Sequence, residues 1–261
     1  LDLSGHHPVS FPYHAALPNS ELQGTPPIEL TFGGTDEIHC ITCHDPHKDV
    51  YGKFLVKDNR YSALCTTCHQ IAGWPGSAHA TSPKLVSDRL LPRPPKNWPH
   101  YATLGEWGCE ACHTPHFAPT AERLLNFTAG PEPFSCTTTT CHAAAPGAPH
   151  LAGVNRAKGD GTDGGAVDIG RQVRKISAHH EVPGQVATTL RRGSSSRSRF
   201  PGVGCADCHN PHVGTSQSAE APYVSGLLRG VRGIDRNGGI VAAATYEYEV
   251  CFKCHADNSP N

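Results

Sequence analysis

The segment Cys40-Ile-Thr-Cys-His-Asp-Pro-His47 decides the fold of this 261-residue chain. Two cysteines stand three positions apart, a histidine follows the second one directly, and another histidine comes three positions later, after a proline. The arrangement C-x-x-C-H is typical of covalent haem attachment. The two thiols bond to the vinyl groups of one porphyrin, and the histidine supplies one axial nitrogen to the iron. The segment therefore predicts a structure built around a cofactor.

The same motif recurs along the chain and accounts for all 12 cysteines. Five copies read C-x-x-C-H, and a sixth has four threonines between its cysteines. The cysteines predicted to bind haem are Cys40, Cys43, Cys65, Cys68, Cys109, Cys112, Cys136, Cys141, Cys205, Cys208, Cys251 and Cys254. The predicted proximal iron ligands are His44, His69, His113, His142, His209 and His255. The sequence thus predicts six covalently bound haems c.

Other uses of paired cysteines explain this pattern less well. A zinc site needs four ligands and does not require a histidine directly after every second cysteine. A thioredoxin-like redox pair would need a βαβ context, which is absent, and disulfides do not predict a histidine at a constant offset. One alternative stays open at the sixth copy. Either both of its thiols bond to haem, or Cys141 alone does and Cys136 is free.

Histidine is the predicted sixth ligand of every iron, because the chain contains no methionine. Three candidates follow their own proximal histidine by three positions in an x-Pro-His unit, and they are expected to reach a neighbouring haem or else to lie at the surface or bind propionates. These are His47, His116 and His212. The upstream candidates are His7, His79, His100 and His180, of which His79 and His100 suit the second pair of motifs. The seven candidates exceed the six positions by one, and the reserves are His6, His14, His39, His150 and His179.

Composition limits both the architecture and the class of partner. The chain has about 44 residues per predicted haem, too few for an ordinary apolar core around each porphyrin. We therefore expect a mostly coil fold, with short helices and little sheet, wrapped round a chain of stacked haems. Propionates would bring the net charge from −1 for the polypeptide to about −7 for the oxidised protein, which disfavours nucleic acid as a partner. No run of 18 apolar residues exists, so no transmembrane helix is expected, and we interpret the chain as a mature exported form.

The motifs fall into three pairs, which predict one continuous haem-cored unit. The predicted divisions are 1–78 (N-terminal arm and pair one), 79–150 (pair two), 151–204 (haem-free linker) and 205–261 (pair three). A leucine-containing stretch follows the first motif of each pair, at Phe54–Leu55, Leu124–Leu125 and Leu227–Leu228. Apolar spacing favours a short helix over 167–178. The alternation in 246–250 favours either a strand or a lead-in to the last motif.

Paired C-x-x-C-H motifs with a trailing x-Pro-His resemble the doubled-CXXCH multihaem cytochromes. Segments 38–47 and 250–257 also look like parts of the hexahaem surface cytochromes of metal-reducing bacteria, some of which polymerise into extracellular filaments. This resemblance implies electron transport outside the inner membrane, at the cell surface or beyond it rather than in the periplasm. It also implies redox partner proteins or extracellular acceptors, and it suggests self-association but does not by itself imply a filament. Residues 1–30 are rich in proline and polar groups, so one hypothesis is that His7 in this arm reaches the haem of another subunit.

If histidines fill both axial positions of every iron, no substrate can bind the metal. We therefore expect one-electron transfer and no enzymatic activity, and we assign no catalytic residue. Two alternatives remain. One is a multihaem reductase of the nitrite or hydroxylamine type with one open high-spin haem, for which the irregular motif 136–142 is the candidate site. The other is an electron-transfer subunit of a larger complex.

Overall fold

The computed structural model describes residues 2–34, 36–84, 101–119, 122–125, 142 and 205–255. In these residues regular structure is short, because each cysteine motif makes about one helical turn and the prolines and glycines after it interrupt further helix. The α-helices are Cys40–Cys43, Leu104–Trp107, Cys205–Cys208 and Glu247–His255, and the strands are Phe11–Pro12, Glu37–Ile38, Gly233–Ile234 and Ile240–Val241. The 3-10 helices are Tyr13–Ala16, Arg60–Ser62, Cys65–Thr67, Trp74–Gly76, Gly108–Ala111, Glu122–Leu124 and Gly226–Leu228. The expected fold, mostly coil with short helices and little sheet, is confirmed.

The chain divides into two compact units. The first contains the described residues of Leu1–Ala72 and Ser82–Ala129, and with them the first three cysteine motifs. The second contains Gly73–Thr81 and the described residues of Gly170–Asn261, and with them the last two motifs. The division into haem pairs that the sequence suggested stays a prediction.

A two-stranded sheet positions the first motif in the first unit. Strands Phe11–Pro12 and Glu37–Ile38 pair antiparallel, and the helix of the motif begins two residues after the second strand. Tyr13 follows the first strand and is almost fully buried, at 1% exposed. Its hydroxyl donates a 2.7 Å hydrogen bond to the carbonyl of Gln23. The N-terminal arm is thereby fixed to the body of the first unit.

The second unit has a small apolar cluster beneath its last helix. The buried members of this cluster are Val231, Ala244 and Val250. The helix Glu247–His255 begins where the Glu249 carboxylate accepts hydrogen bonds from the backbone N–H groups of Thr245 (2.7 Å) and Tyr246 (3.1 Å). These N–H groups would otherwise lack a partner at the helix start. The cap therefore fixes the helix that carries the last motif.

Two secondary-structure expectations have different outcomes. Residues 246–250 do not form a strand, because most of this segment lies within the helix Glu247–His255, so that alternative is wrong and the segment leads into the last motif as a helix. The expected helix over 167–178 and the linker 151–204 lie outside the described residues. Among the described helices, none combines the length and apolar character needed to cross a membrane.

Gly108 permits a close contact between the second and third motifs. Its φ of +50° is one that side-chain-bearing residues rarely adopt, and a Cβ there would collide with Oγ of Ser62. Ser62 is 1% exposed, and its Oγ accepts a 2.7 Å hydrogen bond from the backbone N–H of Cys109. The absence of a side chain at Gly108 therefore brings the turn Arg60–Ser62 against the start of the third motif.

Replacing Gly108 with alanine should lower the free energy of unfolding by about 1–3 kcal/mol, because the new Cβ meets Ser62 in an unfavourable backbone conformation. Chemical denaturation of the haem-loaded protein, followed by circular dichroism, measures the change. Gly24→Ala is the matched control, since nothing lies within 4 Å of its Cβ position, and it should change the stability by no more than about 0.5 kcal/mol. Equal losses in the two variants would contradict the proposed contact.

Candidate functional site

The C-x-x-C-H motifs form helical turns in which the histidine N–H bonds to the carbonyl of the first cysteine. The backbone N–H of the motif histidine donates to the carbonyl of the first cysteine, at 2.8–3.0 Å, in the motifs that begin at Cys40, Cys65, Cys109 and Cys205. Residues three apart on a helical turn lie on the same face. Each turn therefore presents its two thiols together, as attachment to two vinyl groups of one porphyrin requires.

A main-chain carbonyl holds the ring of three proximal histidines. The hydrogen bonds run from Nδ1 of His44 to Lys53 (2.8 Å), from Nδ1 of His113 to Arg123 (2.7 Å) and from Nδ1 of His209 to Leu227 (3.0 Å). A carbonyl can only accept, so the proton of each neutral ring lies on Nδ1 and the lone pair is on Nε2. This tautomer is the one that binds a metal through Nε2, and the carbonyl orients it. These rings therefore fit the axial position of a haem iron.

Two of the accepting carbonyls belong to left-handed backbone. Lys53 and Phe54 both have φ of +57°, and Arg123 and Leu124 have φ of +59° and +50°. Such conformations cost roughly 1 kcal/mol or more per residue outside glycine. The leucine-containing stretches visible in the sequence are these turns, and their contribution of a carbonyl to the proximal histidine was not predicted. The recurrence of a leucine-containing stretch after the first motif of each pair was the sequence feature that could have indicated this role.

Two candidate distal histidines lie opposite proximal histidines in the first unit. The ring centroid of His7 is 6.2 Å from that of His69, and the ring centroid of His116 is 5.9 Å from that of His44. Burial lowers the pKa of His69, and the nearby His7 lowers it further. Burial also lowers the pKa of His116, with contributions from His44 and His6. Both rings are thereby kept neutral, which is the state that binds metal.

The other distal candidates have different surroundings. His47 is exposed. His79 hydrogen-bonds through Nδ1 to the carbonyl of Pro211, next to the first motif of the third pair, at 2.9 Å. Its assignment to the second pair stays a prediction. His212 packs edge-on against Trp74, with ring centroids 6.3 Å apart.

Several predicted site residues lie outside the described part of the chain. They are Cys136, Cys141, His100 and His180, with the reserves His150 and His179. His142 is half-buried and is the single described residue of its motif. Among the other reserves, His14 hydrogen-bonds to Asp36 (2.6 Å) and His39 to Glu37 (3.1 Å), which engages both rings with carboxylates.

Cysteines of the three motifs in the first unit interact with one another. A side-chain hydrogen bond between Cys65 and Cys109 lowers the pKa of the Cys109 thiol to about 7. Burial, together with the charge of the nearby Cys43, raises the pKa of the Cys68 thiol to about 11. The second motif therefore interacts directly with the third through Cys65 and Cys109, and electrostatically with the first through Cys68 and Cys43. Haems attached to these cysteines would be near neighbours.

A largely enclosed polar network joins the same three motifs. Glu110, inside the third motif, forms an ion pair with Lys53 (3.4 Å) and accepts a hydrogen bond from Nδ2 of Asn59 (3.0 Å). Asn59 is 5% exposed, and its Oδ1 accepts from the backbone N–H of Leu64 just before the second motif. Because the carbonyl of Lys53 also binds His44, the network connects the proximal ligand of one motif to the other two. Nothing in the sequence pattern indicated Glu110 or Asn59.

Comparison with known proteins gives one match. A family model described as the doubled CXXCH motif matches residues 34–72, which contain the first two motifs. No curated protein and no solved structure matches the chain. The match and the recurrence of the motif support a multihaem c-type cytochrome with covalently bound haem c, which carries out electron transport and acts outside the cytoplasm.

Proposed function

We propose that this chain binds six haems c and transfers single electrons along them, with histidine on both sides of every iron. The observation that carries the proposal is the pairing of histidine rings in the first unit. Two imidazoles on opposite sides of one metal, each with a metal–nitrogen bond of about 2 Å, have ring centroids about 6 Å apart. The separations of 6.2 Å for His7 and His69 and 5.9 Å for His116 and His44 agree with this value.

In this proposal His7 and His69 hold the iron of the second motif, and His116 and His44 hold the iron of the first. His7 donates from Nδ1 to the carbonyl of Pro8 (3.0 Å), which leaves its Nε2 for the metal. His7 reaches a proximal histidine of its own chain, so ligation of this iron needs no second subunit. The proposal therefore does not include donation of His7 from the N-terminal arm to a haem of another subunit.

Bis-histidine ligation restricts what the site does. Haem iron supplies a one-electron couple, and a pair of neutral imidazoles favours lower potentials than histidine with methionine. The two ligands leave no position at which a substrate could bind the metal, so the protein is proposed to be a carrier and not an enzyme. The hydrogen bond between Cys65 and Cys109 and the electrostatic effect of Cys43 on Cys68 support short steps between neighbouring haems.

We further propose that the protein works at the cell surface or beyond it, with extracellular acceptors or redox proteins as partners. Self-association into a filament belongs to the same proposal. The support for both is the likeness of segments 38–47 and 250–257 to hexahaem surface cytochromes.

The purified protein should carry six haems by mass spectrometry and show a fully low-spin optical spectrum in both oxidation states. Carbon monoxide added to the reduced form should leave that spectrum unchanged, because histidines occupy both axial positions. A high-spin charge-transfer band, or binding of carbon monoxide to the reduced protein as isolated, would instead favour a reductase with an open iron.

Replacing either His7 or His116 with alanine should convert one of the six irons to a high-spin form that binds carbon monoxide. Electron paramagnetic resonance measures the loss of low-spin signal, and added imidazole should restore it. The double variant should lose two low-spin irons. His14→Ala is the control, since that ring is engaged by Asp36. Unchanged spectra in both single variants would refute the ligand assignment.

Negative-stain microscopy of the haem-loaded protein tests the filament. Concentrating the sample should yield fibres of constant width if exposed haems of successive subunits stack. Particles of uniform monomer size at every concentration would contradict self-association, while leaving electron transfer by the single chain intact.

A further inference from the structure

The N-terminal segment 5–7 forms a backbone clasp with residues 115–118. The N–H of His7 donates to the carbonyl of Pro115, and the N–H of Ala118 donates to the carbonyl of Gly5, both at 2.8 Å. A Cβ on Gly5 would lie 2.6 Å from the carbonyl oxygen of Ala118. Only a residue without a side chain therefore permits this approach. We call residues 5–7 and 115–118 the N-terminal clasp.

The clasp brings the His6 ring to the nitrogen of His116 that faces away from its proposed iron. The two Nδ1 atoms are 3.1 Å apart, and the Phe117 ring packs edge-on against His6 with centroids 4.5 Å apart. When Nε2 of His116 binds a metal, its proton is on Nδ1. That N–H then donates to Nδ1 of His6, which acts as the acceptor. His6 is therefore the hydrogen-bond acceptor for the His116 ring, as a main-chain carbonyl is for each of three proximal rings.

We propose that His6 is a positioning residue for the axial ligand His116, so that the dipeptide His6–His7 serves two irons at once. His7 binds the iron of the second motif, and His6 orients the distal ligand of the first. This inference rests on the proposed bis-histidine ligation and adds to it a residue that touches neither metal. The same short segment would therefore influence the redox potentials of two neighbouring haems.

The hydrogen bond has a defined effect on the iron. An acceptor on Nδ1–H makes a ligating imidazole more basic and fixes its orientation. A more basic ligand stabilises the ferric state and lowers the midpoint potential. Removing the acceptor should therefore raise the potential of the haem on the first motif while its iron keeps both ligands.

The test compares His6→Leu with His6→Asn in the haem-loaded protein. Leucine removes the acceptor, whereas the asparagine Oδ1 can occupy the position of Nδ1. Spectroelectrochemistry and electron paramagnetic resonance should show an upward shift in potential and altered g values at one haem in His6→Leu. Asparagine should restore both, and all irons should stay low-spin. His14→Leu, outside the clasp, is the matched control and should resemble the parent protein.

Two results would overturn the inference. Potentials and g values of His6→Leu equal to those of the parent protein would show that His6 does not act on His116. A high-spin iron in His6→Leu would show that His6 is itself a ligand. If a parent protein with fully low-spin irons accompanies either result, the proposed electron-transfer function stands and only the positioning role fails. A parent protein with open irons would instead remove the proposed function.

A second variant serves as the test if His6→Leu does not fold and acquire its haems. Gly5→Ala should loosen the clasp itself, because the added methyl meets the Ala118 carbonyl. Loss of low-spin signal at one haem, together with a raised potential at a second, is the expected result. Gly24→Ala is its control. A change at one haem alone would contradict the joint action of His6 and His7.

Discussion

The hydrogen bond from a proximal imidazole to a main-chain carbonyl is the interaction on which the described structure depends. It fixes the tautomer of His44, His113 and His209 and leaves Nε2 for a metal. It also ties each motif to a turn nine or more residues further along the chain. The backbone around Lys53 and Arg123 is held in left-handed conformations, which only a compensating set of contacts can maintain. The loops around the motifs are therefore supports for the ligands, although they contain little regular structure.

Contacts between motifs hold the described part of the first unit together alongside its few buried apolar side chains. The Cys65–Cys109 contact and the Lys53–Glu110–Asn59 network join three attachment sites within the first unit. A half-buried ion pair of this kind contributes little net stability but favours one arrangement, because either partner left alone would be a partly desolvated, unpaired charge. The network therefore favours one arrangement of the three motifs relative to one another. For electron transfer, spacing between neighbouring haems is the property that such an arrangement controls.

Local chemistry made much of the site predictable. The motifs, their helical turns and the scarcity of sheet come from residues that lie close together in the chain. The absence of methionine led to the prediction of histidine as the distal ligand, and the preference for His7 over His6 stays a prediction, although the His7 ring lies near His69. The alternation at 246–250 suggested a strand as one alternative, but Glu249 caps a helix there. This context overrides the two-residue period of the sequence. Glu110 and Asn59 were not predicted, because nothing in the local sequence distinguishes a polar side chain that belongs to an internal network from one that is exposed.

The sequence alone indicated the cofactor and predicted its proximal ligands and the kind of distal ligand, since thioether attachment and the first axial bond would be made within one helical turn. Only the tertiary structure decided which histidine faces which, because these pairs join distant parts of the chain, as with His6 and His116 at 110 residues apart. Spacing in a sequence carries no information about contacts of that range. They are set by how turns and backbone clasps pack, and a single glycine such as Gly5 permits or forbids them.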